Sequence, residues 1–266
     1  MKTAIVTGAN GGMGTEITKE LERVGYNVIK VCLHKTDDSQ YQCDLSEMNN
    51  IVTLVKQLRM DINSVELLMN NAGTMCTHFQ QTAEGFERTV AVNYLAPFLL
   101  THLLLPLMHE GTRVVNMVSC TYAIGKVGPH FFSRGREAKG FWRIPIYSNT
   151  KYALWMFTYE MAMRLKDKGI TVNAADPGVV STDIIRMDMW FDPLTDIFYR
   201  PFIRTPRQGA DTAIRLLLDD DKEKETGNMY HTGRRRHLHP QFTDRKTSLD
   251  LYNKTYEVLK DHMNCL

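Results

Sequence analysis

The chain lacks any run of the roughly 20 consecutive apolar residues that a membrane-spanning helix requires. Its most apolar segment, Pro97 to Met108, is interrupted by Thr101 and His102 and reads as a buried core helix. The N-terminus passes from Met-Lys-Thr straight into a strand pattern, so no signal or transit segment is expected. Excess charge is also missing: a net +2 over 266 residues gives no global attraction to nucleic acid or to a membrane. No Cys-x-x-Cys pair occurs, and Cys32, Cys43, Cys76, Cys120 and Cys265 are odd in number and widely spaced. That is the pattern of reduced thiols, and the expected location is cytoplasmic. His78, His102, His130 and the group His231, His237 and His239 show no metal-ligand spacing with cysteine, so no metal is expected. With no internal repeat and no low-complexity linker, residues 1–266 read as one domain.

What is present is an alternation of strand-like and helix-like segments. Strands are expected at 3–6, 27–33, 41–45, 65–69, 113–118, 170–175 and 228–231, with helices at about 83–108 and 146–166 among those between them. This order predicts an α/β fold: a doubly wound parallel sheet of about seven strands with helices on both faces. Two segments break the rhythm, a loop of roughly 25 residues at 121–145 and a bulky apolar stretch at 184–206. Both follow strand C-termini, where open α/β sheets bind ligands.

Thr7-Gly8-Ala9-Asn10-Gly11-Gly12-Met13-Gly14 joins the first strand to the first helix. Glycine allows the tight turn and lets a pyrophosphate approach where no Cβ intervenes, and the following helix N-terminus offers free N–H groups. The end of the second strand carries Cys32-Leu33-His34-Lys35 and no carboxylate. A carboxylate there selects NAD by binding the ribose 2′-hydroxyl. His34 and Lys35 offer positive charge to a 2′-phosphate, which points to NADP(H), with NAD(H) the alternative; they also suit the start of a plain polar loop. Asp44, beside Leu45, stands where a carboxylate can accept a hydrogen bond from adenine, and Asn70-Asn71-Ala72-Gly73 puts small residues where the chain passes a ribose.

Tyr147 and Lys151 share one face of a helix, and Ser119 ends the strand before it. Hydride transfer to a carbonyl needs a proton donor for the developing alkoxide and a hydrogen bond to polarise the oxygen. A phenol with a pKa near 10 becomes a better acid beside a positive charge. Tyr26/Lys30, Tyr122/Lys126 and Tyr256/Lys260 have the same spacing, but only Tyr147/Lys151 opens a helix downstream of Ser119 and ahead of a strand.

Taken together, these motifs resemble the short-chain dehydrogenase/reductase family: Thr7 to Gly14, Asn70 to Gly73, Asn93, Ser119, Tyr147-x-x-x-Lys151, and Pro177-Gly178 followed by Thr182. The stretch from Val92 to Thr101 and the long insert between Ser119 and Tyr147 resemble the retinol dehydrogenase and WW-domain oxidoreductase-like branch. The resemblance implies that Tyr147 is the general acid/base, that Lys151 lowers its pKa and binds the nicotinamide ribose, and that Ser119 holds the substrate carbonyl. It further implies that Asn93 supports a proton relay, that Val180 and Thr182 contact the carboxamide, and that Asp44 holds the adenine. The nucleotide contacts it implies are Gly8, Asn10, Gly12, Met13, Gly14, His34, Lys35, Asp44, Leu45, Asn71, Ala72, Gly73, Tyr147, Lys151, Pro177, Gly178, Val180 and Thr182. The substrate expected is a small apolar carbonyl or alcohol. A homodimer or homotetramer is expected through helices at 97–109 and 147–166. The departures are Gly11, where many NADP-preferring members are basic, Cys120 in place of a second serine, and Asn149 between the tyrosine and the lysine. The rival reading is a non-catalytic nucleotide-sensing module.

Overall fold

The structure is a computed structural model that describes residues 2–37, 39–128, 131–132, 141–180 and 204–265. Thr182 and nearly all of the 184–206 segment lie outside the described residues, as do 129–130 and 133–140 of the 121–145 segment.

The strands are β1 (Thr3–Thr7), β2 (Asn27–Cys32), β3 (Gln40–Gln42), β4 (Val65–Asn70), β5 (Met108–Met117), β6 (Thr171–Asp176), β7 (Met229–His231) and β8 (Arg234–Arg235). They form one sheet in the order β3-β2-β1-β4-β5-β6-β7-β8, parallel throughout except for the β7–β8 pair. The expected parallel sheet is therefore present, with a short antiparallel addition. β8 is formed by two exposed arginines, Arg234 and Arg235. Thr232 (φ 52°) and Gly233 (φ 72°) make the two-residue turn that folds it back on β7.

Side chains alternate along β1, and this builds two cores. Ala4 and Val6 face α1 (Gly12–Arg23) and α6 (Pro206–Leu218), packing with Ile17, Leu21, Ala213 and Leu217. Ile5 faces the other way, into a larger core with α2 (Met48–Asp61), α5 (Arg143–Leu165) and α7 (Arg245–Met263). Between β4 and β5 a helical run comprises α3 (Arg88–Val90), a π-turn (Ala91–Leu95) and α4 (Ala96–Leu104). Where no membrane-spanning segment was expected, the stretch Arg88–Leu107 is by length and composition apolar enough to cross a membrane, and 78% of its most apolar window is buried inside the fold.

Some boundaries differ from expectation, and one helix lies where none was expected. The helix expected from residue 83 starts at Arg88, because Gly85 adopts φ 87° and closes a turn back to the Thr82 carbonyl at 2.9 Å. The third strand spans only Gln40–Gln42, so Asp44 lies beyond it in the turn that leads to α2. The amphipathic helix α6 was not singled out from sequence. Its signal was Thr205-Pro206-Arg207-Gln208, which forms a capping box with proline in the first turn.

The faces expected to pair two copies are occupied within the chain. α7 lies across α4 and α5, and Phe98, Leu99, Trp155, Phe157 and Met161 are at most 1% exposed. Tyr94 Oη and Thr255 Oγ1 hydrogen-bond at 2.6 Å, and His102 Nε2 and Tyr252 Oη at 2.8 Å, fastening α7 down.

Candidate active site

The strand order reverses between β1 and β4, and the site builds up at their C-terminal ends. Thr7 Oγ1 accepts from the Asn71 and Ala72 amides, both at 3.0 Å, and Asn71 Nδ2 donates to the Thr7 carbonyl at 3.0 Å. These bonds lock the glycine turn to the Asn71-Ala72-Gly73 segment. Gly8 adopts φ 63° and lies against Ala72, whose Cα would stand 3.0 Å from a Cβ at residue 8. A Cβ on Gly14 would fall 2.0 Å from the Gly8 carbonyl oxygen, so the turn closes only with glycine there. Gly11 precedes α1 with no side-chain cap, which leaves the first N–H groups of the helix, at Gly12, Met13 and Gly14, without a capping side chain. Asn71 Oδ1 is buried with no hydrogen-bond partner. An uncapped helix start, a cradle closed to Cβ atoms and an orphaned buried acceptor together fit a dinucleotide.

The remaining nucleotide candidates divide into those drawn to this edge and those that are not. Asn10 Nδ2 donates to the His34 carbonyl at 2.9 Å, tying the turn to the loop after β2. His34 and Lys35 are exposed, and Lys35 borders a groove with Lys30, Gln40 and Tyr41 on the outer edge of the sheet. The Asp44 carboxylate accepts from the Ser46 amide at 2.9 Å and pairs with Arg88 at 3.2 Å, beside the buried Leu45. Burial works against its ionisation, but Ser46 and Arg88 hold its pKa below the usual value. Met13 and Val180 meet over Gly209 of α6, where a Cβ would stand 2.9 Å from the Met13 sulfur and 2.6 Å from Val180 Cγ2. Gly178 adopts φ 74° after Pro177, and its amide donates to Asp176 Oδ1 at 3.0 Å.

Asn93, Ser119, Tyr147 and Lys151 are brought to the same edge. Asn93 lies in the π-turn, fully buried. Its Oδ1 accepts from the Thr74 amide at 2.7 Å, and its Nδ2 donates to the Thr74 carbonyl at 2.8 Å and to Thr150 Oγ1 at 3.1 Å. A helix interior that widens to a π-turn re-aims one side chain, a device frequent at functional sites. Lys151 Nζ donates to the Met117 carbonyl at 2.8 Å and lies 5.5 Å from the Tyr147 ring centre. A Cβ on Gly73 would sit 3.4 Å from Asn93 Oδ1 and 3.6 Å from Lys151 Nζ, so these two groups converge on one backbone position.

The electrostatics depart from one expectation. Burial pushes the Tyr147 phenol up to about 12; a hydrogen bond with Ser119 pulls the other way, and the charges of Cys120 and Asp176 add to the rise. Burial lowers Lys151 to about 8. The phenol is thus held protonated at neutral pH, where a lowered pKa was expected. Ser119 caps the short helical turn Cys120–Ile124, and its Oγ accepts from Thr121 Oγ1 at 3.2 Å. Asn149 has a structural job: its Oδ1 accepts from the Lys126 amide at 2.8 Å and fastens the segment after Ser119 to α5. The rejected pairs lie elsewhere; Lys30 pairs with Glu22 at 2.8 Å and Lys260 with Glu257 at 3.0 Å. Sequence reasoning passed over Thr74 and Thr150, which hold Asn93, and Asp176, which directly precedes Pro177-Gly178.

The family model for short chain dehydrogenase matches residues 2–189. Human retinol dehydrogenase 12 is 33% identical over 97% of this chain and 86% of its own length, and human retinol dehydrogenase 11 is 33% identical over 86% and 76%. Human polyprenol dehydrogenase is 29% identical over 97% and 84%. Among solved structures, an uncharacterised protein from Mycobacterium paratuberculosis superposes with a TM-score of 0.78 at 23% identity, over 98% of this chain and 94% of that one. A blue fluorescent protein from a metagenomic library, in complex with NADPH, gives 0.67 at 24% identity over 86% and 95%. With the turn, the strand order and these relatives in agreement, the chain belongs to the short-chain dehydrogenase/reductase family of oxidoreductases, in its retinol dehydrogenase branch.

Proposed function

We propose that the chain is an NADP(H)-preferring reductase of small apolar carbonyl compounds. The observation that carries this reading is the convergence of Ser119, Tyr147 and Lys151 at the strand ends, with Lys151 Nζ 5.5 Å from the Tyr147 ring centre and held by the Met117 carbonyl. The nicotinamide supplies the hydride when bound. Tyr147 donates its proton to the substrate oxygen, and Ser119 donates the hydrogen bond that orients that oxygen. Lys151, fixed by the Met117 carbonyl, offers a positive charge to the ribose and to the phenolate left after transfer. Asn93 holds the Thr74 backbone beside Gly73 and keeps the ribose face clear. Gly8 to Gly14 and the start of α1 receive the pyrophosphate, Thr182 and Val180 the carboxamide, and Asp44 the adenine. Preference for NADP(H) rests on His34 and Lys35 and on the absence of a carboxylate directly after β2, at residues 33–35.

An apolar substrate is supported by the rim of the site. Ile124, Trp142, Ile144 and Val179 are between 50% and 70% exposed and flank Ser119, Tyr147 and Gly178 in sequence. We further infer that the chain does not pair with a second copy through α4 and α5, since α7 already covers them. Surface charges placed on α4 and α5 leave the sedimentation-equilibrium mass unchanged on this reading, and a dimer that those charges break contradicts it.

The test is the initial rate of NADPH and NADH oxidation against a panel of aldehydes, ketones and quinones. Turnover, faster with NADPH, is expected. Tight nucleotide binding with no turnover across the panel contradicts the reading and favours a nucleotide-sensing module.

A further inference from the structure

The Asp176 carboxylate is fully buried at the last residue of β6. Its Oδ1 accepts from the Gly178 amide at 3.0 Å; its Oδ2 accepts from Arg236 Nη1 at 3.0 Å and lies 3.4 Å from His231 Nδ1. The register pairs Met117 with Ala175, and the Val118 amide donates to the Ala175 carbonyl at 2.9 Å. Val118 and Asp176 therefore leave the sheet side by side, with Ser119 one residue further on. Arg236, the residue after β8, stands 5.9 Å from the ring of Tyr122, in the helical turn that Ser119 caps. A carboxylate taken out of water costs several kcal/mol unless it is paired and hydrogen-bonded, and an uncharged residue would hold this strand end as well. The charge itself calls for a use.

We propose that Asp176, balanced by Arg236, is a positioning residue that sets how readily Tyr147 gives up its proton. This rests on Tyr147 being the acid. In the reduction the Tyr147 O–H bond breaks, its proton goes to the substrate oxygen, and the bonding pair stays on the phenolate. A fixed negative charge beside Ser119 disfavours that phenolate, and the Arg236 guanidinium offsets it. Among the described residues, the groups facing the phenol are Ser119 and Cys120 from the end of β5, Lys151 from its own helix and Asp176 from β6; Arg236 and His231 stand behind Asp176. The two ends of one ion pair then act on Tyr147 with opposite signs.

The experiment is the rate of alcohol oxidation at saturating nucleotide between about pH 7 and 9, where the reaction needs the Tyr147 phenolate and its rate follows that small population, for wild type, Asp176→Asn, Arg236→Gln and the double variant, with nucleotide Kd measured on each. Asp176→Asn keeps the shape and the bond to the Gly178 amide. It raises the oxidation rate about tenfold, as expected for loss of one nearby negative charge. Arg236→Gln lowers the rate, the double variant returns it toward wild type, and Kd stays level. Rates that coincide with wild type, or that change in one direction for both single variants, overturn the inference. If Tyr147→Phe keeps turnover, the acid assignment has failed; if it is inactive while the rates stay put, only the role of Asp176 has failed.

Discussion

The Lys151 ammonium donates to the carbonyl of Met117 over 2.8 Å, so a buried cation ties helix α5 to the last residue of β5. Lys151 is 3% exposed, and burial lowers its pKa to about 8. The fold holds a charge there at a cost to its own stability, which is expected of a group kept for binding or catalysis.

Replacing Lys151 with Met therefore stabilises the protein while abolishing turnover. The folded pKa lies below the unfolded value of 10.5, so the folded chain binds this proton less tightly than the unfolded one. The cost is full below pH 8 and fades as pH rises from about 8 to 10.5. A shift of that size is worth about 3 kcal/mol, offset by about 1–2 kcal/mol for the Met117 carbonyl left unpaired. Urea unfolding at pH 7 should show a net gain of about 1–2 kcal/mol, and the gain should vanish by pH 10. A loss at pH 7 contradicts this.

Gly14→Ala and Gly11→Ala separate the turn's packing from its ligand. A Cβ at 14 meets the Gly8 carbonyl oxygen at 2.0 Å, and Gly8, at φ 63°, has little room to yield. Gly14→Ala is expected to cost about 3 kcal/mol of stability. At Gly11 the nearest atom is 3.4 Å away, ordinary contact. Gly11→Ala should unfold like wild type and bind nucleotide within a few fold of it, as urea titration and calorimetry would show, which leaves the loss at Gly14 to packing.

Asn93→Ala removes three hydrogen bonds and strands the Thr74 amide and carbonyl. Unpaired buried backbone groups cost about 1–3 kcal/mol each. A drop of about 3 kcal/mol in unfolding free energy is expected, with a larger loss in kcat than in nucleotide affinity. A variant that loses stability alone would restrict Asn93 to holding the backbone.

The sequence shows the parallel sheet, the glycine turn and the Tyr147–Lys151 face because all three are written in local spacing: alternation, a strand–turn–helix junction, and residues four apart on a helix. What it hides depends on distant partners. Asp-Pro-Gly looks like a turn until Arg236, 60 residues on, reaches the Asp176 carboxylate. The pKa of Tyr147 follows from enclosure by the fold, which overrides the local effect of Lys151 that spacing suggests. Gly85 delays the start of a helix expected from residue 83, since a residue at φ 87° cannot sit inside one. α4 and α5 are covered by α7, a helix that begins at Arg245, about 100 residues after α5 begins at Arg143.

Changing His34 and Lys35 to Ala tests cofactor choice. The double variant should weaken NADPH binding about tenfold and leave NADH binding unchanged, as expected for loss of one charge-assisted contact. Because Lys35 borders the outer groove with Lys30, His34→Ala alone should carry most of the effect. Equal weakening of both nucleotides would remove these residues from the choice.

The most direct measurement is single-turnover carbonyl reduction by Tyr147→Phe, with nucleotide affinity measured on the same sample. The account predicts a fall in rate of about 10²–10⁴-fold, the usual contribution of a positioned acid, with nucleotide affinity unchanged. A rate within a few fold of wild type would contradict it and place the proton donor elsewhere.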